Sequence, residues 1–125
     1  GGSGTYAGSI SRPDAIKTIS ASNIAIIPVG THSVGDVIIG YPSGTRLNEA
    51  SNGVPLGVVQ YVDSDYAYII VIGCVMVAGS DITGATSAGT KLYASSGRLT
   101  TTENTALVGI VAGTYEDANI VYLLK

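Results

Sequence analysis

The sequence predicts an all-β fold, either a small β-barrel or a β-sandwich, built from two repeats and preceded by an extended N-terminal arm. Short runs rich in Val, Ile and Tyr recur at intervals of about ten residues, a spacing typical of sandwiches and barrels. Seventeen of the 125 residues are Gly, and with Ser, Thr and Pro they separate these runs as turns do. A pattern of about 53 residues also occurs twice. A chain of this length is expected to form one domain.

The chain divides into an arm and a body. Residues 1–22 are polar and rich in Gly and Ser, which predicts an extended N-terminal arm. Residues 23–125 form the body, a single barrel or sandwich. Its first strand is predicted over Asn23–Pro28 and ends at the proline, which has no backbone N–H for a sheet ladder.

The body contains an internal repeat, with one copy over 34–73 and the other over 88–124. Each copy reads as a strand, a Ser-Gly turn, a short strand, a polar loop, a long strand, an acidic turn and a closing strand. The matched segments are VGDVII at 34–39 with AGTKLY at 88–93, SG at 43–44 with SG at 96–97, LGVV at 56–59 with VGIV at 108–111, and AYIIV at 67–71 with NIVYL at 119–123.

Glycines and apolar residues have predicted places in this pattern. Gly44 and Gly97 supply the positive φ of the turns, and Gly57 and Gly109 lie inside strands, where glycine often marks a bulge. The predicted core consists of apolar residues of the strands: Ile26, Val37, Ile39, Val58, Ile70, Ile72, Leu92, Leu99, Ile110, Val121 and Leu123.

The charge and hydropathy of the chain exclude several partners. Only 12% of the residues are charged, the net charge is −3, and Lys and Arg number six, too few to follow a nucleic-acid backbone. The longest apolar stretch, residues 66–79, is shorter than the roughly 20 residues that a membrane-spanning helix needs. We therefore expect no nucleic acid and no membrane as partners. So uncharged a surface also predicts that other protein covers part of it.

The residue types that carry catalysis or bind metals are few. His32 lies in a predicted loop near Asp36, where it is either a general base or a surface or interface residue; no nucleophile motif accompanies it. Cys74 is either a nucleophile or a buried, inert thiol in an apolar strand. The DSD triplet at 63–65 either binds a metal or forms a solvated hairpin tip. We favour the structural interpretation each time, and predict no enzyme, no catalytic residue, no metal and no cofactor.

Tyrosine is the one abundant aromatic residue, with eight Tyr and no Trp or Phe. Three of them cluster around one predicted hairpin. They form either a protein-contact surface, because Tyr is favoured at interfaces, or ordinary cross-strand pairs. The candidate interface residues are Tyr6, Ile10, Arg12 and Ile16 of the arm, with Tyr61, Tyr66 and Tyr68 of the body.

Residues 34–124 resemble the capsid decoration, or cement, proteins of tailed bacteriophages. The resemblance implies a small β-barrel or β-tulip-like body on the outer surface of an expanded capsid in the virion. It also implies trimers at three-fold and quasi-three-fold sites, where the protein clamps neighbouring units of the major capsid protein. It is carried by AGTKLY at 88–93, SGRLT at 96–100, VGIV at 108–111 and NIVYLL at 119–124; the double occurrence of the pattern and the long arm depart from the commoner versions.

We therefore hypothesise a structural virion protein that cements capsomers and associates with itself. Such a static clamp needs area, shape and strand edges rather than titratable groups, in which this chain is poor. The arm could add a strand to a sheet of the capsid protein, with main-chain hydrogen bonds providing affinity. The alternative is a receptor- or glycan-binding β-module of a phage tail or fibre.

Overall fold

The computed structural model describes residues 23–39, 45–46 and 54–124. Within these residues the fold is all-β, with a 3₁₀ turn at Gly79–Asp81 and no α-helix. The strands are β1 (Ile24–Pro28), β2 (Val37–Ile39), β3 (Thr45–Arg46), β4 (Pro55–Val62), β5 (Tyr66–Ile70), β6 (Cys74–Ala78), β7 (Ile82–Thr83), β8 (Lys91–Ser95), β9 (Arg98–Thr100), β10 (Leu107–Tyr115) and β11 (Ala118–Leu123).

The strands form two sheets that do not close into a barrel. The five-stranded sheet has the order β1-β5-β4-β2-β3, and the six-stranded sheet has the order β6-β11-β10-β8-β9-β7. All pairs are antiparallel except β7 with β9. Each sheet keeps two edges in the described part of the chain, β1 and β3 in one and β6 and β7 in the other. The predicted all-β class is confirmed, and the barrel alternative is wrong because these edges stay unjoined.

The main core lies between the two sheets. The five-stranded sheet contributes residues of β2, β4 and β5, and the six-stranded sheet contributes residues of all its strands. Burying such Val, Ile and Leu side chains provides most of the stabilisation that a sandwich of this size has. Its members include Val37, Val58, Ile70, Val75, Val77, Ile82, Leu92, Ala94, Leu99, Val108, Val111, Val121 and Leu123.

A second apolar cluster covers the other face of the five-stranded sheet. Ile38, Val59, Ala67 and Ile69 are buried there, and every described member of this cluster belongs to, or directly follows, a strand of that sheet. The five-stranded sheet is therefore apolar on both faces, as strands in the middle layer of a fold are.

The pairing register of the first half of the chain recurs in the second half. Strand β1 pairs with β5, β5 with β4 and β4 with β2 in the same registers as β6 with β11, β11 with β10 and β10 with β8. The register shifts in β4 and β10 also lie at matched places. We call residues at matched places counterparts. The pairs Ile24–Ile70, Ile26–Tyr68, Val58–Ile70 and Val37–Val58 correspond to Cys74–Tyr122, Met76–Ile120, Ile110–Tyr122 and Lys91–Ile110.

Of two counterparts, one side chain faces the core between the sheets and the other faces away from it. Ile70 points into the core between the sheets, whereas its counterpart Tyr122 lies on the outer face and is 49% exposed. Ile69 belongs to the second cluster, whereas its counterpart Val121 points into the main core. The two sheets therefore stack front to back rather than presenting the same face to each other.

Two predicted core residues lie at the surface. Ile26 is 40% exposed because β1 is an edge strand, and Ile72 is 54% exposed because it lies in the link by which the chain leaves one sheet for the other. The predictions for Ile39 and Ile110 hold in part, since both are half-buried. The remaining predicted core residues are confirmed as buried: Val37, Val58, Ile70, Leu92, Leu99, Val121 and Leu123.

The Ser-Gly turn between β8 and β9 has the conformation that its sequence predicts. Ser96 and Gly97 have φ values of +51° and +78°. A two-residue hairpin with positive φ at both positions matches the twist of its strands. The corresponding prediction for Gly44 lies outside the described residues.

A polar strut joins the two sheets at one corner. The Arg98 guanidinium donates to Asp36 Oδ1 at 2.8 Å through Nη1 and to Asp81 Oδ1 at 2.5 Å through Nη2. Beside it, the Val37 N–H donates to the Gly97 carbonyl at 2.9 Å. Because Asp36 belongs to the first half of the chain and the other two charged residues to the second, this strut fixes one sheet against the other.

The strut also changes the acid–base behaviour of its arginine. Burial alone would lower the pKa of Arg98, but the hydrogen bond that it donates to Asp36 and the negative charges of Asp81 and Asp36 outweigh this effect and raise the pKa above its ordinary value. Asp36 is completely buried, so water cannot take the place of this partner.

Candidate interaction surfaces

The three body tyrosines predicted as interface residues come together on the β4–β5 hairpin. The ring centroids of Tyr61 and Tyr68 are 5.5 Å apart, and those of Tyr66 and Tyr68 are 6.4 Å apart with the rings edge to face. Tyr68 is only 1% exposed, so its ring supports the hairpin and offers no contact surface. Tyr61 and Tyr66 are half-buried. The arm candidates Tyr6, Ile10, Arg12 and Ile16 lie outside the described residues.

Asp63 closes this hairpin. Its Oδ1 accepts hydrogen bonds from the N–H groups of Asp65 and Tyr66, both at 2.8 Å, and its Oδ2 accepts one from the Tyr68 hydroxyl at 2.8 Å. A carboxylate that accepts backbone N–H groups two and three residues ahead stabilises a tight turn. The triplet therefore has the structural role predicted for it, and Asp63 is half-buried rather than fully solvated.

We expect Asp63→Ala to lower the free energy of unfolding by about 1–2 kcal/mol, because three donors, one of them a buried hydroxyl, lose their acceptor. Urea unfolding of the variant measures this change. Asp65→Ala is the matched control, since that carboxylate belongs to an exposed residue of the same turn. Equal stability of both variants would contradict the role given to Asp63.

His32 and Cys74 do not form a catalytic arrangement in the described part of the chain. Asp36 accepts hydrogen bonds from Ser33 and Arg98, while the buried Nδ1 of His32 makes none. Cys74 is exposed at the start of β6, so the prediction that it is buried is wrong. The alternation of β6 explains the error, because Val75 and not Cys74 takes the core position.

The outer edge of β1 is open. The Val71 N–H donates to the Asn23 carbonyl and the Val29 N–H to the Asp65 carbonyl, which fixes the hydrogen-bond phase of the β1–β5 ladder. In this phase the backbone groups of Ile24 and Ile26 point away from β5. Within the described part of the chain they make no hydrogen bond on that side.

The matching edge of β6 is closed. There the Met76 N–H donates to Gln60 Oε1 at 2.9 Å, and Gln60 Nε2 donates to the Met76 carbonyl at 3.2 Å. The side-chain amide thus takes both bonds that an added strand would make at this residue. Met76 is the counterpart of Ile26, so the β6 edge is blocked at the place where, among the described residues, the β1 edge is free.

The outer face of the six-stranded sheet is apolar. We define it by Cys74, Met76, Ile110, Ile120 and Tyr122, which stand in two adjacent rows across β6, β11 and β10. Met76 is 36% exposed and Tyr122 is 49% exposed. A contiguous apolar patch of this kind typically marks a contact surface.

A cavity of about 350 Å³ opens where the starts of β4 and β10 meet the end of β11. Its lining contains no titratable side chain, so it offers no acid, base or metal ligand. The lining residues are Val54, Pro55, Leu56, Gly57, Leu107, Val108, Leu123 and Leu124.

The described residues include no cluster of His, Cys, Asp and Glu that could hold a metal ion. Among the same residues, no helix is long and apolar enough to cross a bilayer. Comparison of the chain with protein-family profiles, curated proteins and solved structures finds no match.

Sequence reasoning identified the tyrosine hairpin but missed both the open edge and the outer face. The signal for the closed edge was a lone Gln60 in an otherwise apolar strand. A half-buried polar side chain in such a strand still needs hydrogen-bond partners, and here the backbone of another strand provides them.

Proposed function

We propose that this chain is a structural virion protein that binds the outside of an expanded phage capsid and cements neighbouring capsomers. The observation that carries the proposal is the open edge of β1. An extended segment of the major capsid protein can add to this edge as a further strand, through the backbone groups of Ile24 and Ile26. The bonds between Gln60 and Met76 disfavour the same pairing at the matching edge of the six-stranded sheet.

A static clamp fits the distribution of chemical groups. The described surfaces are a strand edge, an apolar sheet face and an apolar cavity. The charged groups of Arg98, Asp36 and Asp81 form the strut, and that of Asp63 closes a turn. Binding of this kind needs area and backbone hydrogen bonds, which many copies on one capsid multiply through avidity. Catalysis is not part of the proposal.

The duplication predicted from the sequence belongs to the same proposal. We propose that the predicted copies, residues 34–73 and 88–124, are repeats of one unit, and that the edge strands β1 and β6 extend the correspondence. Support comes from the shared register and from matched turn contacts: the Ser33 N–H donates to Asp36 Oδ2, and the Ser87 N–H donates to the Thr90 hydroxyl. The N-terminal arm and trimeric association complete the proposal.

Co-sedimentation with undecorated, expanded heads tests the function. We expect the purified chain to saturate the heads near the number of their three-fold and quasi-three-fold sites and to raise their resistance to heat. Absence of pelleting above background would overturn the proposal. Saturable binding to a host glycan would then favour the receptor-binding alternative.

We expect Ile26→Pro to weaken head binding about tenfold or more, because it removes an outward N–H from the β1 edge. The fold tolerates proline at such a position, since Pro28 already occupies one in the same strand. Ile26→Ala is the matched control: it shortens the same side chain but keeps the N–H. Equal binding by the two variants in the co-sedimentation assay would remove strand addition at β1 from the proposal.

A further inference from the structure

The second cluster of the five-stranded sheet is buried although no strand of the described part of the chain lies over it. Ile38, Ala67 and Ile69 are 0% exposed, yet they stand on the face that points away from the six-stranded sheet. Among the described residues, the partly buried apolar side chains packed against them, such as Ala25 and Val71, belong to or directly follow strands of the same sheet. An uncovered face of an antiparallel sheet would be in contact with water. Another part of the chain therefore covers this one.

The second half of the chain indicates which part provides the cover. The counterparts of Ile38 and Ile69 are Leu92 and Val121, and all four side chains are buried. Over Leu92 and Val121 lies the five-stranded sheet, which is formed by the part of the chain that precedes the six-stranded sheet. By the same front-to-back order, the cover of the second cluster comes from the part of the chain that precedes β1.

We propose that residues 1–22 pack over the second cluster of their own chain and form a third layer on the five-stranded sheet. These residues lie outside the described part of the chain and lead directly to β1, whose Ala25 and Ile27 pack against the cluster. A segment of this length can cross the roughly 24 Å that five neighbouring strands occupy. Its apolar residues include Ile10 and Ile16, which packing of this kind would bury.

The sheet order favours this segment over the other candidates within the chain. The internal segments 40–44 and 47–53 also lie outside the described residues, and they join β2, β3 and β4. Ala67 and Ile69 belong to β5, which stands between β4 and the edge strand β1. The segment that enters the fold at β1 therefore starts nearest to the side chains that need a cover.

The inference goes beyond the proposed function and does not depend on it. Strand addition at the β1 edge uses backbone groups of Ile24 and Ile26, whereas the cover contacts side chains on a sheet face. The inference gives the predicted interface residues Ile10 and Ile16 a partner within the chain. The arm is then part of the packing of the body, and not the strand that adds to a sheet of the capsid protein.

Thiol labelling of the full chain tests the cover. Ala67→Cys places a thiol in the second cluster and Ala94→Cys places one in the main core, both where the alanine is 0% exposed, and each in a Cys74→Ser background. We expect Ile10→Ser combined with Ile16→Ser to raise the maleimide labelling rate at position 67 about tenfold or more and to leave the rate at position 94 within about twofold. Unchanged rates at both positions, or equal increases at both, would overturn the proposal.

Paramagnetic broadening locates the cover without any change in the buried face. We expect a nitroxide attached at Ser11→Cys, with Cys74→Ser, to broaden the methyl signals of Ile69 strongly and those of Ile110, on the outer face of the six-stranded sheet, weakly. When isotope-labelled chains without the nitroxide are mixed with nitroxide-bearing unlabelled chains, the labelled Ile69 signals should stay sharp. Broadening in that mixture would assign the cover to a second copy. A nitroxide at Ser51→Cys that broadens Ile69 more than the one at position 11 would assign it to residues 47–53, and either result overturns the proposal.

Discussion

Replacing Gly57 with alanine is expected to lower the free energy of unfolding by about 3 kcal/mol or more. A Cβ atom built at Gly57 would lie 2.0 Å from the carbonyl oxygen of Ile70, a backbone atom of the adjacent strand β5. The Ile69 side chain lies 3.0 Å from the same point and also crowds a Cβ atom there. Since both obstacles belong to the packed sheet, the strands must move apart, and urea unfolding will measure the cost.

The counterpart glycine provides an internal replicate. A Cβ atom at Gly109 would lie 2.5 Å from the Tyr122 carbonyl oxygen and 3.0 Å from Val121. Gly113, in the same strand β10, has open space around the corresponding point, so Gly113→Ala is the matched control and is expected to stay within about 0.5 kcal/mol of the wild type. If Gly57→Ala were as stable as Gly113→Ala, the close approach of the strands would not be what requires glycine.

These glycines show how far the sequence predicts the fold. Glycine inside a strand indicated a bulge at Gly57 and Gly109, and the structure has a register shift next to each. The sequence could not indicate the reason for glycine there, because the obstacle is a carbonyl of a neighbouring strand. Strand positions, turns and most of the core followed from local pattern, since alternation and turn chemistry are local properties.

The direction in which each sheet faces did not follow from the sequence. Val59 and Val111 occupy the same place in the two halves, yet one belongs to the outer cluster of its sheet and the other to the main core. Alternation fixes which residues share a face but does not say which face is covered. The predicted core therefore omitted the buried outer cluster of the five-stranded sheet and included Ile110 of the outer face, and Ile26 and Ile72 proved exposed.

The candidate surfaces could not be predicted in full for the same reason, because the sequence does not say which strand edges and sheet faces the fold leaves uncovered. The tyrosine hairpin was predicted because its residues are close in the sequence. The closure of β6 by Gln60 joins residues 16 positions apart on different sheets, and only the packing of the sheets brings them together. An open edge is likewise a property of strand order, which remained undetermined from the sequence.

The second large effect is expected at the strut. Arg98→Met should lower the free energy of unfolding by about 2–3 kcal/mol, because it leaves the carboxylate of Asp36 buried without its cation. The value lies at or below the lower end of the range for buried pairs, since the Arg98 side chain is itself 33% exposed. Urea unfolding measures it, and the loss should persist at high salt because a buried pair is little screened.

Two further variants separate the charge from the packing. Asp81→Asn should cost less than Arg98→Met, because Asp81 is 24% exposed and water can replace part of its contact. Adding Asp36→Asn to Arg98→Met should restore part of the lost stability, since it removes a buried negative charge that Arg98 no longer compensates and keeps the volume of the side chain. If the double variant were less stable than Arg98→Met by the full cost of Asp36→Asn alone, the two residues would act independently. The two sheets would then be held by apolar packing, without a contribution from the strut.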